Sequence, residues 1–244
     1  MKFTRFAIGW AGMLASLHSA GSAWAQGPPA FQSVSAMTST AVKKTTIPVD
    51  LDGIAPGFRD SVAKIIQRPT VVAQAPAEEF TQGIYDWLLE HPDRASLAWR
   101  RLGIPCAQIS ETTPGRFGWS DGQGTEVTWR TVSLSREQRV WYAEGHARLG
   151  PMLPSVPIKA VVVLNHPRRV GLDGQRIVSQ ETNVYLQTDS KAAATIARIV
   201  GPSVPRLAEQ GASQLLLFFS GLTRYFDRHP EDIDTLLAAE KSRK

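Results

Sequence analysis

Glu144, His146 and Arg148 stand at alternate positions in Gln138–Leu149, a stretch with the pattern of a β-strand. Side chains two apart on a strand point the same way. A carboxylate beside an imidazole could move a proton on a bound substrate, as a cyclase or hydrolase would require. With Arg148 they could instead form the polar end of an apolar pocket. The plainer reading is a charged row on the solvent side of a one-sided sheet. Ala143, Gly145 and Ala147 would then face inward and leave room beneath whatever covers them. Direction decides between these readings, because catalysis requires both groups inside.

Aromatic residues form the second group with chemical potential. Trp119, Trp129, Trp141 and Tyr185 fall in segments of strand character and read as core or cavity wall, with stacking on a planar ligand as the alternative. Tyr142 shares the Glu144 face, and Arg130 or Glu144 could orient a polar ligand head. Nucleophile and cofactor motifs are absent. No G-x-S-x-G occurs, and Gly118-Trp-Ser-Asp-Gly122 sits in a hairpin rather than at a strand-to-helix elbow. Gly122-Gln-Gly124 lacks the remainder of a dinucleotide fingerprint. No pair of histidines has metal-ligand spacing, so neither a metal nor a cofactor is expected. His91 and His166 read as surface residues beside prolines. Cys106 is the one cysteine and reads as a small buried hydrophobe.

These residues need elements to hold them. The N-terminus comes first, because part of it reads as a leader. Lys2 and Arg5 precede an uncharged apolar run from Phe6 to Leu17, and Ala23-Trp24-Ala25 resembles a cleavage site. The run is short for a membrane span. Residues 1–25 are therefore expected to be a signal peptide cut after Ala25, giving a periplasmic or secreted product. Losing Lys2 and Arg5 from the 27 basic residues leaves 25 against 22 acidic, a net charge of +3. That is too mild to argue for nucleic acid. Residues 26–56, rich in Ser, Thr, Ala and Pro, read as a flexible arm. Roughly 190 residues remain, enough for one substantial core.

Gly57–Gln67 has helical spacing. Thr70–Pro76 reads as a strand ended by its proline, and Ala77–Leu102 as two helices meeting at His91-Pro92. From Pro105 to Thr188 the pattern is strand and turn, with a hairpin signal at Asp121-Gly-Gln-Gly124. Ser190 can cap a helix over Lys191–Val200, ended by Gly201-Pro202, a candidate hinge. The last long stretch, Pro202–His229, places Leu215, Phe218, Phe219 and Leu222 at the three- and four-residue spacing of one helix face. Residues 231–244 read as a tail.

The order of elements resembles the helix-grip fold of the START-like superfamily, which includes polyketide-cyclase and lipid-transfer types. The likeness is carried by Thr70-Val-Val-Ala-Gln-Ala-Pro-Ala-Glu-Glu-Phe80, by Ile84-Tyr-Asp-Trp-Leu88, and by the final strand leading to a long apolar helix. It covers roughly residues 57–230 and rests on order and pattern rather than on a unique motif. The leader, the arm and the Gly201-Pro202 break depart from it. The resemblance implies an α+β fold, a curved antiparallel sheet of about seven strands wrapped around a long C-terminal helix, with an apolar cavity between them. A hydrophobic small molecule or lipid is the expected partner, held by Trp129, Arg130, Trp141, Tyr142, Glu144, Tyr185, Leu215, Phe218, Phe219 and Leu222. Transient membrane contact is compatible with that role. The same fold also hosts enzymes, for which Glu144 and His146 are the candidates, and interaction modules.

Overall fold

The computed structural model describes residues 48–120, 122, 124–148, 155–188 and 204–239. The leader, the first part of the arm, the expected helix over 191–200 and the Gly201-Pro202 hinge lie outside them. The elements in chain order are α1 (Arg59–Gln67), β1 (Val71–Thr81), α2 (Tyr85–Glu90), α3 (Pro92–Arg101), β2 (Ile109–Thr113), β3 (Arg116–Ser120), β4 (Glu126–Leu134), β5 (Gln138–Arg148), β6 (Ser155–Asn165), β7 (Arg168–Val170), β8 (Arg176–Thr188), α4 (Val204–Arg228) and α5 (Ile233–Leu237). All strand pairs are antiparallel, in the order β1-β8-β6-β5-β4-β3-β2, with β7 paired to β8. This is the α+β helix-grip arrangement: a curved sheet with a long helix laid on its inner face.

β1 is longer than its proline suggests. It runs through Pro76 to Thr81, with a bulge between Ala75 and Glu78. Proline cannot donate to a ladder, but β1 is an edge strand and the bulge releases Pro76 from pairing. Phe80 therefore sits on a strand and not on the expected helix. Helix begins only at Tyr85, after Gly83 turns the chain at φ 42°. Pro92 then starts α3, as its position in the first turn allows. β4 and β5 approach closely at Gly145. A Cβ on Gly145 would stand 2.0 Å from the Glu126 carbonyl oxygen, so only glycine fits there.

The sheet is covered on both faces. Inside, Ala73, Phe80, Trp141, Val162, Leu164, Val178 and Val184 meet Leu216, Phe218, Phe219, Leu222 and Phe226 of α4. Outside, Val140, Tyr142, Val161, Val163 and Tyr185 meet Val62 and Ile65 of α1, together with Ile54. Residues 49–55 are thus part of the outer layer: Ile54 is buried, and Ala55 donates its N–H to the Val132 carbonyl at 2.8 Å. At the other end of the chain, Arg101 donates to the carbonyls of Thr235, Leu236 and Ala238 at 2.8–2.9 Å and holds α5 against α3. No helix among the described residues is long and apolar enough to cross a membrane.

Candidate functional site

A cavity of about 100 Å³ opens between the inner face of the sheet and the first half of α4. Strand alternation builds its floor: Val127 and Trp129 from β4, Trp141 from β5, Val184 and Leu186 from β8, and Trp119 from β3. Helix α4 roofs it with Ala208, Gly211, Ala212, Gln214, Leu215, Phe218 and Phe219, while Pro92 and Ile109 close one side. The small side chains at 208, 211 and 212 leave the volume that a leucine-lined turn would fill. Trp141 and Phe219 stack at 5.9 Å, and Phe218 meets Phe219 edge-on at 4.8 Å. No charged side chain is in the described lining.

The polar ties of α4 to the rest of the fold, among the described residues, fall at or beyond Phe218. Trp99 donates its indole N–H to the Phe218 carbonyl at 3.0 Å, Ser220 donates to Glu78 at 2.8 Å, and Arg224 donates to the Glu79 carbonyl at 3.1 Å. Gly221 lets the Trp99 ring lie close to α4, since a Cβ there would meet that ring at 3.3 Å. Among the described residues, the roof of the cavity is therefore the half of the helix held by apolar contact.

Five of the ten expected ligand residues are on the cavity wall: Trp129, Trp141, Leu215, Phe218 and Phe219. Leu222 is on the same helix face but is fully buried in the packed core one turn further on. The other four, Arg130, Tyr142, Glu144 and Tyr185, belong to the outer face, and this corrects their expected placement. Arg130 lies over the Phe58 ring at 5.4 Å. Tyr142 and Tyr185 pack under α1. Glu144 pairs with Arg116 at 3.5 Å and accepts from the Tyr142 hydroxyl at 3.2 Å. Its side chain is 47 % exposed, and His146 is exposed beside it. Neither reaches the cavity, so the carboxylate–imidazole pair cannot act on a molecule bound there. The physical reason is the outer layer: where α1 and residues 49–55 cover the sheet, Val140, Tyr142 and Tyr185 on the outer face are buried like Trp141 and Val184 on the inner one, and alternation there no longer marks one face as inner.

Val127, Val184 and Leu186 were missing from the expected site, while Trp119 lies on the wall, as the aromatic group was expected to. Alternation in register with Trp129 and Trp141 carries the signal for them. His166 is the opposite case. Expected at the surface, it is only 2 % exposed. The strand after it turns back to pair with β8, and the registers Asn165–Glu181 and Arg168–Val178 set His166 across from Gln180. Its ring meets Tyr85 edge-on at 6.0 Å. Arg168 reaches Asp86 at 2.6 Å, while buried Arg139 bonds the Leu89 carbonyl at 3.1 Å and pairs with Glu90. Burial, then the Arg168 and Arg139 guanidiniums, lower the His166 pKa to about 4. Burial likewise holds the Tyr85 phenol well above its usual range. Among the described residues, no group bonds the His166 ring nitrogens, the Tyr85 hydroxyl or the Gln180 amide.

Two further features are less promising. A more open recess of about 470 Å³ is lined by Glu90, Glu111, Arg130 and Arg139 among others, but Arg139 is already committed to Glu90 and the Leu89 carbonyl. His229, Glu231 and Asp232 lie within 4.8 Å of one another just past α4, where Asp232 accepts from Tyr225 and His229 packs on the Tyr225 ring. That cluster ties off a helix end. Burial pushes the Cys106 thiol up to about 11, which leaves it a poor nucleophile.

No protein-family model matches the sequence, and no curated protein matches it. Solved structures that superpose on it include a hypothetical protein from Helicobacter pylori (15% identity, TM-score 0.41, 78% of this chain and 100% of that one). They also include Ara h 8.0201 (12%, TM-score 0.29, 60% and 98%) and the di-domain ARO/CYC StfQ from the steffimycin biosynthetic pathway (12%, TM-score 0.30, 73% and 52%). At these scores the likenesses carry no argument, and the fold is read from its own strand order and helix.

Proposed function

We propose that this chain is an exported binding protein that encloses a hydrophobic small molecule between its sheet and α4. The observation that supports the reading most is a cavity walled by Trp119, Trp129, Trp141, Phe218 and Phe219 with no charged group in the described lining. Burial supplies the affinity. A single ring removing roughly 200 Å² of apolar surface from water gains about 5 kcal/mol before the costs of ordering. The volume favours a molecule of about one ring or a short chain, since a cavity of about 150 Å³ holds benzene. A lipid would need the first half of α4 to move outward, and that half lacks polar anchors among the described residues.

Export is part of the proposal and rests on residues 1–25. The mass of protein recovered from the periplasm tests it, with a mature N-terminus at Gln26 expected. Contact with a membrane during loading is the remaining part. Val170 and Leu172, exposed at the turn after β7 with Arg169 and Arg176 beside them, are the surface suited to it. Native mass spectrometry on protein purified from its own compartment, followed by extraction, tests the central reading. A co-purifying apolar molecule is expected. Repeated recovery of empty protein, together with no binding across a panel of apolar compounds, would overturn it.

A further inference from the structure

We infer that the cavity selects neutral molecules carrying a hydrogen-bond acceptor and rejects their anionic counterparts. This rests on the binding-protein reading above and adds the chemical class of the ligand. The polar groups of the described lining are few, and most of them are donors. Trp119, Trp129 and Trp141 each contribute an indole, whose N–H only donates. No described residue accepts from any of these three, although the indole of Trp99, outside the cavity, is satisfied by the Phe218 carbonyl. The one other polar side chain in the wall is the amide of Gln214. The indole N–H groups thus have no acceptor among the described residues, and a carbonyl, ester or ether oxygen on an otherwise apolar ligand would supply one.

A carboxylate does not fare so well. An ionised group taken out of water needs a paired charge, and none faces the cavity among the described residues. The buried guanidinium on the inner face, Arg139, lies outside the cavity lining and is already held by Glu90 and the Leu89 carbonyl. Arg116 and Arg130 are on the outer face, beside Glu144 and over Phe58. An acidic ligand therefore binds only as its protonated form, and its apparent affinity falls as pH rises above the acid's own pKa.

Three probes of similar size separate the possibilities: toluene, methyl benzoate and benzoate, titrated at pH 7.5 into the ¹⁵N-labelled mature chain. The readout is the set of tryptophan indole N–H resonances, assigned with single Trp→Phe variants. Toluene and methyl benzoate are expected to bind. Methyl benzoate should also move at least one of the Trp119, Trp129 and Trp141 N–H signals downfield, as acceptance of a hydrogen bond does. Benzoate should bind on the order of 1000-fold more weakly, as the small protonated fraction of a carboxylic acid at pH 7.5 dictates. Trp129→Phe and Trp141→Phe should reduce the preference for methyl benzoate over toluene while toluene still binds. Benzoate binding as tightly as its ester would overturn the inference and leave the binding-protein reading intact. So would ester binding without any indole N–H shift. Failure of all three probes to move any cavity resonance would instead overturn the binding-protein reading itself.

Discussion

The two halves of α4 rest on one sheet but meet different surfaces. Its first half, from Ala208 to Leu215, spans a hollow floored by three tryptophans and is held by apolar contact. Its second half, from Phe218 to Phe226, lies on filled core and is pinned through Trp99, Glu78 and Glu79. Beyond that filled end, buried Arg139 and His166 pack against α2, meeting its Leu89 carbonyl and its Tyr85 ring. The difference separates two tasks. One end stores the stability and is sensitive to volume and charge, which lets the other end remain underfilled. An apolar hollow costs stability, so it persists only where the remaining core can carry it.

The largest break in this comparison should come from the same truncation made at each end. Leu222→Ala, at a fully buried site with no adjoining cavity, is expected to cost about 3 to 4 kcal/mol in chemical denaturation. Leu215→Ala, beside space that already exists, is expected to cost under about 1.5 kcal/mol. Equal losses would mean that the first half is packed as tightly as the second.

Acid should find the polar end next. Burial and two guanidiniums lower the pKa of His166 from the usual 6.5 to about 4. The unfolded chain takes up the proton first, so this contribution to stability is complete above pH 6.5 and is lost as pH falls toward 4. The full loss is about 3 kcal/mol. Urea midpoints measured from pH 8 to 4 check this, and His166→Asn should flatten the His-dependent part of the slope. An unchanged slope in the variant would place the acid sensitivity elsewhere.

Filling the hollow is expected to separate binding from stability. Ala208→Leu should weaken binding of a ring-sized ligand by tenfold or more, about 1.4 kcal/mol, while thermal stability holds or rises slightly. The smallest effect is expected on the outer face. Glu144→Gln and His146→Ala should each change stability by less than about 0.5 kcal/mol and leave ligand affinity unchanged, because the Glu144–Arg116 pair is exposed. Loss of binding or of any activity in those variants would return the outer face to consideration.

How far the sequence disclosed these two ends follows from where its patterns are unambiguous. The long helix shows as one apolar face with period three to four, and Leu215, Phe218 and Phe219 follow from that face directly. The strand bounds near Arg116–Ser120 and Arg176–Thr188 follow from turn residues on either side. The solvent side was legible where charge marks it, as at Glu144 and His146 in β5, which the plainer reading placed outward, but not where a strand is buried on both faces. Val140 and Trp141 are both buried, one under α1 and the other under α4, so alternation in β5 is apolar twice over. Pro76 hid the second half of β1, since a bulge on an edge strand is a tertiary accommodation that local pattern does not announce. His166 was hidden for a similar reason. Its burial depends on the return of residues 168–170 to β8, a pairing three residues long with weak strand character of its own.

The contrast between a hollow apolar end and a filled polar end can be tested without knowing the ligand. A crystal of the protein placed under xenon pressure reports apolar space directly, because xenon occupies dry cavities of this kind. One strong xenon peak is expected between Trp129, Trp141 and Leu215, and none between α2 and His166. Absence of xenon from the tryptophan-lined space, or a peak beside His166 instead, would contradict this contrast.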